Sequence, residues 1–210
     1  MENVSLKEVR CLGHNCVRIE AGDQVIYTDP YQLKEAPHDG TLILITHDHY
    51  DHLSPEDIEK VAGEDCVLAL PESCDPGSLP DAVTAIYAVI PGGRYFVSDI
   101  CFETVPSYNI GKAFHSQENE WVGYVVEGNG LRYYIAGDMD RIPEAEKLSA
   151  DVAFLPVGGT YTMTAEEAAG LAAVMDAKVF VPVHYGIIVG TPDDADRFVS
   201  LVGPKAVRLY

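Results

Sequence analysis

The chain has 210 residues, 47% of them hydrophobic and 22% charged, enough to bury a substantial core, and it contains no apolar run long enough to span a bilayer. Its formal net charge is −19, with 14 Lys and Arg scattered singly, a field that repels nucleic acid and excludes a nuclease with a basic track. Met1 to Arg10 alternate charged and apolar residues without the apolar stretch of a signal peptide, so a cytoplasmic protein with no membrane contact is expected.

Taken in order, the short apolar or alternating runs bounded by Gly, Pro or Asp predict strands at Val17 to Ile19, Val25 to Thr28, Leu42 to Ile45, Cys66 to Leu70 and Val83 to Val89. The series continues at Ile100 to Val105, Trp121 to Glu127, Leu131 to Ala136, Val152 to Leu155, Lys178 to Val183 and Ala206 to Leu209. Gly128-Asn129-Gly130 between two of these runs predicts a hairpin. Ser54-Pro55-Glu56-Asp57 carries an N-cap serine, a proline at the first helical position and acids in the first turn, and predicts a helix to about Ala62. A second helix is expected from Ile142 to Ser149. A third opens with the capping box Thr164-Ala165-Glu166-Glu167 and runs towards Met175. With no repeat, linker or low-complexity segment, residues 1–210 are expected to form one domain of sheets covered by helices on their outer faces. The five cysteines (Cys11, Cys16, Cys66, Cys74, Cys101) show no C-x-x-C spacing and read as small buried hydrophobes in a reducing compartment.

Chemistry collects where apolar runs stop: Asp29 follows one strand, His47 another, Asp138 another and His184 another. The densest cluster is His47-x-His49-x-Asp51-His52, which puts three of the seven histidines and a carboxylate within six residues, between an apolar run and a capped helix. Two histidines one residue apart can grip one ion, while Asp51 and His52 turn towards a neighbouring ion. The donors suit zinc, manganese or iron, and the lack of a nearby cysteine argues against a closed structural zinc site.

This cluster resembles the signature of the metallo-β-lactamase superfamily. Gly13-His14-Asn15-Cys16, Asp29-Pro30, Ile135-Ala136-Gly137-Asp138, Leu155-Pro156-Val157-Gly158-Gly159-Thr160-Tyr161 and Val181-Pro182-Val183-His184 extend the likeness to a branch of short, stand-alone metal-dependent hydrolases related to the ascorbate-6-phosphate lactonases. The resemblance implies an α+β fold, the αββα metallo-β-lactamase sandwich of two mixed sheets covered by helices, with two divalent metals at the sheet ends, zinc first and Mn2+ or Fe2+ as alternatives. It implies His47 and His49 as ligands of the first metal, Asp51, His52 and His184 of the second, and Asp138 as the carboxylate between them. The third histidine of the first metal normally follows closely on a strand. Here that segment reads Pro106-Ser107-Tyr108-Asn109, so His115 is expected to supply it, with Asn109 the alternative as a weak ligand or a residue that positions water. Asp29 is expected to orient the histidine loop through a hydrogen bond. His14, Asn109 and Tyr161 are candidates for contact with substrate, with His14 alternatively fixing a ligand loop.

The expected chemistry is hydrolysis of a small ester, lactone or phosphodiester by metal-bound hydroxide, with Asp51 and Asp138 the carboxylates at its centre. No Gly-x-Ser-x-Gly elbow offers another nucleophile. Two alternatives stand beside it: a metal-binding protein without catalysis, and a di-iron redox protein, which would require a flavin-binding domain for which 210 residues leave no room. A homo-oligomer is expected by analogy alone.

Overall fold

Asn129 (φ 55°) and Gly130 (φ 73°) show how locally the chain is directed, because two successive left-handed residues make the tight turn whose twist matches flanking strands. They join β9 (Val122–Gly128) to β10 (Leu131–Ile135) as the expected hairpin. The computed structural model describes residues 4–210.

Two six-stranded sheets divide the sequence between them. The first holds β1 (Val9–Gly13), β2 (Cys16–Ala21), β3 (Gln24–Thr28), β4 (Gly40–Leu44), β5 (Ala62–Pro71) and β6 (Val83–Val89), side by side in that order. The second runs β12-β11-β10-β9-β8-β7, with β7 (Arg94–Val97), β8 (Ile100–Pro106), β11 (Ser149–Pro156) and β12 (Asp176–Val183) joining β9 and β10. Both sheets are mixed: β1 to β3 and β7 to β10 pair antiparallel, whereas β3 to β6 and β10 to β12 pair parallel.

A shared core fills the space between the sheets. Val17, Ile19, Ile26, Leu42 and Leu44 of the first sheet meet Phe102, Tyr124, Tyr133, Phe154 and Val181 of the second. On the outer face of the first sheet, α1 (Pro55–Val61) packs Ile58 and Val61 with Tyr27, Ile43 and Leu68. The outer face of the second sheet is covered by α2 (Pro143–Glu146), α3 (Ala165–Ala172) and α4 (Pro192–Val202), which contribute Ala145, Leu171 and Phe198 to a cluster with Tyr134 and Phe180. Strands covered on both faces need no polar alternation, which is why Leu42-Ile43-Leu44 reads as an unbroken apolar run. The result is the α+β sandwich of two mixed sheets between helices.

Several boundaries differ from expectation. Ala206 to Leu209 is not a strand: a single parallel bridge joins Ala206 to Phe180, and the chain then runs on to a Tyr210–Tyr185 ring stack. The helix expected at Ile142 to Ser149 ends at Glu146, because Ser149 already pairs with Asp176 as the first residue of β11. The strands β1 and β7 and the helix α4 were not anticipated. The signal for α4 is present in Thr191-Pro192-Asp193-Asp194, where Asp194 Oδ2 accepts from Thr191 N at 2.7 Å. All five cysteines are free and buried, as expected.

Candidate metal centre

The histidine loop begins where β4 stops and is pinned from both sheets. Ile45 N donates to Ala69 O (2.8 Å) on β5, and Tyr124 of the second sheet donates its hydroxyl to Ile45 O (2.7 Å). A tight turn follows, in which His52 N and Leu53 N both donate to His49 O (2.9 and 2.8 Å). Ser54 then caps α1, its hydroxyl accepting from Asp57 N.

Asp29, fully buried at the end of β3, organises this loop. Its carboxylate accepts from Thr46 N (2.8 Å), Thr46 Oγ1 (2.7 Å), Asn15 Nδ2 (2.7 Å) and His52 Nδ1 (2.8 Å). Because His52 spends Nδ1–H on Asp29, its Nε2 is left to face the cluster. Thr46 Oγ1 likewise sits 3.0 Å from His47 Nδ1 and leaves His47 Nε2 facing His49 Nδ1, also at 3.0 Å.

Six of the seven histidines converge here, in three overlapping sets whose donor atoms lie within 4.8 Å of one another: His47, His49 and His115; His47, His52 and Asp138; His14, Asp51, His52 and His184. Asp138 lies between them. Its Oδ1 is 3.0 Å from His184 Nε2 and 3.4 Å from His52 Nε2, and its Oδ2 is 3.3 Å from His115 Nε2. Backbone strain accompanies the convergence: His14, Asp29, His115 and His184 all have positive φ (49°, 40°, 57° and 57°).

These residues fit divalent cations. His52 Nε2, His115 Nε2, His184 Nε2 and Asp138 Oδ1 are buried without a hydrogen-bond partner, a condition native interiors avoid unless something else satisfies the atoms. Burial acts to raise the Asp138 carboxyl, but His184 and His52 hold it well below the usual carboxylate range. Asp51 is held down at about 2, its partial burial outweighed by the hydrogen bond from His14. Burial pushes His47 well below its ordinary value, so it stays neutral and able to ligate. Only His52 moves the other way: its burial opposes a proton, yet the flanking Asp138 and Asp29 carboxylates draw one on. A cation at Nε2 can replace that proton and leave Nδ1–H for Asp29.

Comparison with known proteins places the chain in a family. Residues 8–184 match the beta-lactamase superfamily domain. The chain belongs to that superfamily. Its relatives include a metal-dependent hydrolase of Geobacillus thermodenitrificans, 30% identical over 93% of each chain, and one of Thermococcus onnurineus, 29% identical over 95% of this chain and 93% of that one. Among solved structures, a protein of Parabacteroides distasonis is 27% identical with a TM-score of 0.79, covering 96% of this chain and 91% of the other. Igni18, a metallo hydrolase of Ignicoccus hospitalis, shares the fold at 21% identity and a TM-score of 0.73, over 95% of this chain and 93% of its own. The protein is thus a metal-dependent hydrolase of the metallo-β-lactamase fold.

In this superfamily member the structure brings His115 into the cluster with His47 and His49, and Asn109 Oδ1 is buried beside it without a hydrogen-bond partner. Asn109 stands behind it: Nδ2 donates to Tyr161 O (2.6 Å) and Phe114 O (3.1 Å) and lies 3.1 Å from His115 Nδ1. Of the two roles expected for His14, its contact with Asp51 matches the fixing of a ligand loop. Asn109 and His14 are both buried, and neither lines the open cleft. His14 Nε2 lies 3.0 Å from Asp51 Oδ2, and its carbonyl accepts from His184 N (2.8 Å). Tyr161 does line the cleft, a space of ≈ 240 Å³ bounded also by His49, Tyr50, Asp51, Phe114, His115, Asp138 and Ile188. Trp121, the one tryptophan, has its ring centroid 4.7 Å from that of His47 and 4.9 Å from that of His49, and no motif in the sequence marks it. Its place at the mouth of β9, next to Val122 N donating to Thr46 O (3.2 Å), has no local signature. No helix among the described residues is long and apolar enough to cross a membrane.

Proposed function

We propose that this hydrolase holds two divalent ions, zinc first and manganese or iron as alternatives, and cleaves a small ester, lactone or phosphodiester. The observation that carries the reading is the convergence of the unpartnered Nε2 atoms of His52, His115 and His184 on Asp138. His47, His49 and His115 would hold one ion, Asp51, His52 and His184 the other, and Asp138 both. A nitrogen- and oxygen-donor set without cysteine fits this choice of metals.

When bound, the ions supply Lewis acidity and a water acidic enough to be deprotonated near neutral pH. The chain's own residues do the rest. Asp138, buried and ionised, keeps the two halves of the site together. Asp51 lines the cleft as a carboxylate whose Oδ2 is steadied by His14 Nε2 at 3.0 Å, which would leave its other oxygen for an ion. Trp121 and the sheet core exclude solvent from the back of the imidazoles.

The test is metal analysis of the purified chain beside turnover of p-nitrophenyl acetate and bis-p-nitrophenyl phosphate. Two ions per chain and activity abolished by chelation are expected. Full activity in verified metal-free protein overturns the reading, and bound iron with visible colour and no hydrolysis would favour redox chemistry instead.

A further inference from the structure

The cleft that opens over the candidate ligands has a second half that does no metal chemistry. Tyr50, Phe114, Tyr161 and Ile188 line it, and Tyr50 (67% exposed), Phe114 (47%) and Ile188 (47%) stand largely in solvent. Large apolar side chains gathered at one opening mark a binding surface more often than chance exposure. Phe114 and Tyr161 brace one another edge to face, with ring centroids 4.8 Å apart. Tyr161 is anchored in turn through its carbonyl by Asn109.

Ile188 adds an independent sign. It sits at φ 64°, a conformation a β-branched side chain adopts only under strain. Burial does not repay that strain, because nearly half the residue is exposed. The short turn from Gly186 to Gly190, closed by Val189 N donating to Ile187 O at 2.7 Å, holds it over the cleft.

Charge points the same way. No Lys or Arg lines this cleft among the described residues. Lys112 is engaged by Asp140 and by Thr162 O. With a net charge of −19 on the whole chain, an anionic arm on the substrate finds no counter-charge beyond the metal pair.

Resting on the hydrolase reading above, we propose that the substrate is a small carboxylic ester or lactone whose arm is an uncharged hydrocarbon or aromatic group, and that Ile188 with Phe114 and Tyr161 selects it. Hydrolysis breaks the acyl C–O bond: the oxygen of water enters the carboxylic acid and its proton leaves with the alcohol. A phosphorylated or carboxylated arm is rejected.

Two probes of similar length separate the cases, p-nitrophenyl butyrate and mono-p-nitrophenyl succinate, assayed with the metal-loaded full chain. At least about tenfold higher kcat/KM for the butyrate is expected, the order of discrimination an apolar pocket supplies. Calorimetric binding of butyrate against succinate reads the pocket independently of turnover and should show the same order. In Ile188→Gly the KM for the butyrate ester should rise severalfold while kcat changes less, with metal content kept and Tm equal or higher as the strain is released. Equal or inverted preference, with turnover present, overturns the proposal and leaves the hydrolase reading intact. Absence of turnover of both esters beside turnover of bis-p-nitrophenyl phosphate overturns the proposal and keeps the hydrolase reading, whereas absence of turnover of all three overturns the hydrolase reading itself. No preference in either measurement overturns the proposal.

Discussion

His14 Nε2 lies 3.0 Å from Asp51 Oδ2, and the two residues are 37 positions apart in the sequence. The imidazole is fully buried and its ring centroid is 4.0 Å from that of His184, so it braces two candidate ligands of one ion at once. Removing it should loosen Asp51 rather than block the cleft. His14→Ala is expected to weaken one of two metal-binding events by about 10–100-fold, the usual cost of losing a partner that orients a ligand. Calorimetric titration of metal-free protein checks this, and two unchanged binding events would show that His14 is merely packed.

His115 and Asn109 make different predictions for the other ion. His115→Ala should drop the metal content to about one ion per chain. Asn109→Ala should keep both ions with reduced affinity, because Asn109 holds the His115 segment in place through Phe114 O (3.1 Å) and through its own N–H to His115 O (2.7 Å). Metal analysis after dialysis separates them. Should Asn109→Ala lose an ion while His115→Ala keeps both, the ligand assignment is reversed.

Gly158 is the glycine on which His184 depends most closely. A Cβ there would meet His184 O at 2.5 Å and His184 Nδ1 at 3.1 Å. The backbone carbonyl cannot rotate aside, so Gly158→Ala must shift the His184 turn. A loss of about 1–3 kcal/mol of stability is expected, together with weaker metal binding. Thermal melts with and without metal would show a smaller metal-induced rise in Tm than for the parent chain.

Asp57 ties the loop after Asp29 to α1, accepting from Gln32 N and Leu33 N (both 2.9 Å) and from Lys60 Nζ (3.0 Å). Burial acts to raise its carboxyl, but Lys60 and these amides lower it below the ordinary Asp range. A depressed folded-state value contributes stability above the unfolded-state pKa and loses it as pH falls through the folded one. Asp57→Asn should therefore cost about 1–3 kcal/mol near neutral pH, and the gap to the parent should narrow below the ordinary Asp range. Tm measured from neutral to acidic pH tests the sign; a gap independent of pH would show that the charge is not what matters.

The local parts of this protein are written in short stretches of sequence. Ser54-Pro55-Glu56-Asp57 starts a helix because its cap, its proline and its acids act within one turn. Asn129-Gly130 turns a hairpin because two residues tolerate positive φ. His47-x-His49-x-Asp51-His52 gathers donors within one tight turn, so its chemistry is legible without the rest of the molecule. Asp29, Asp138 and His184 are legible more weakly, as polar residues where apolar runs stop. What spacing cannot report is which strand ends become neighbours. That depends on the order of two sheets and on the core packed between them, which brings His14 to Asp51, sets Trp121 against His47 and puts His115 in front of Asn109. The cleft wall is the extreme case: Tyr50, Phe114, Tyr161 and Ile188 come from four separate loops, and only tertiary packing makes them one surface. The metal-binding turn is a property of neighbouring residues; the shape offered to a substrate is a property of the whole sandwich.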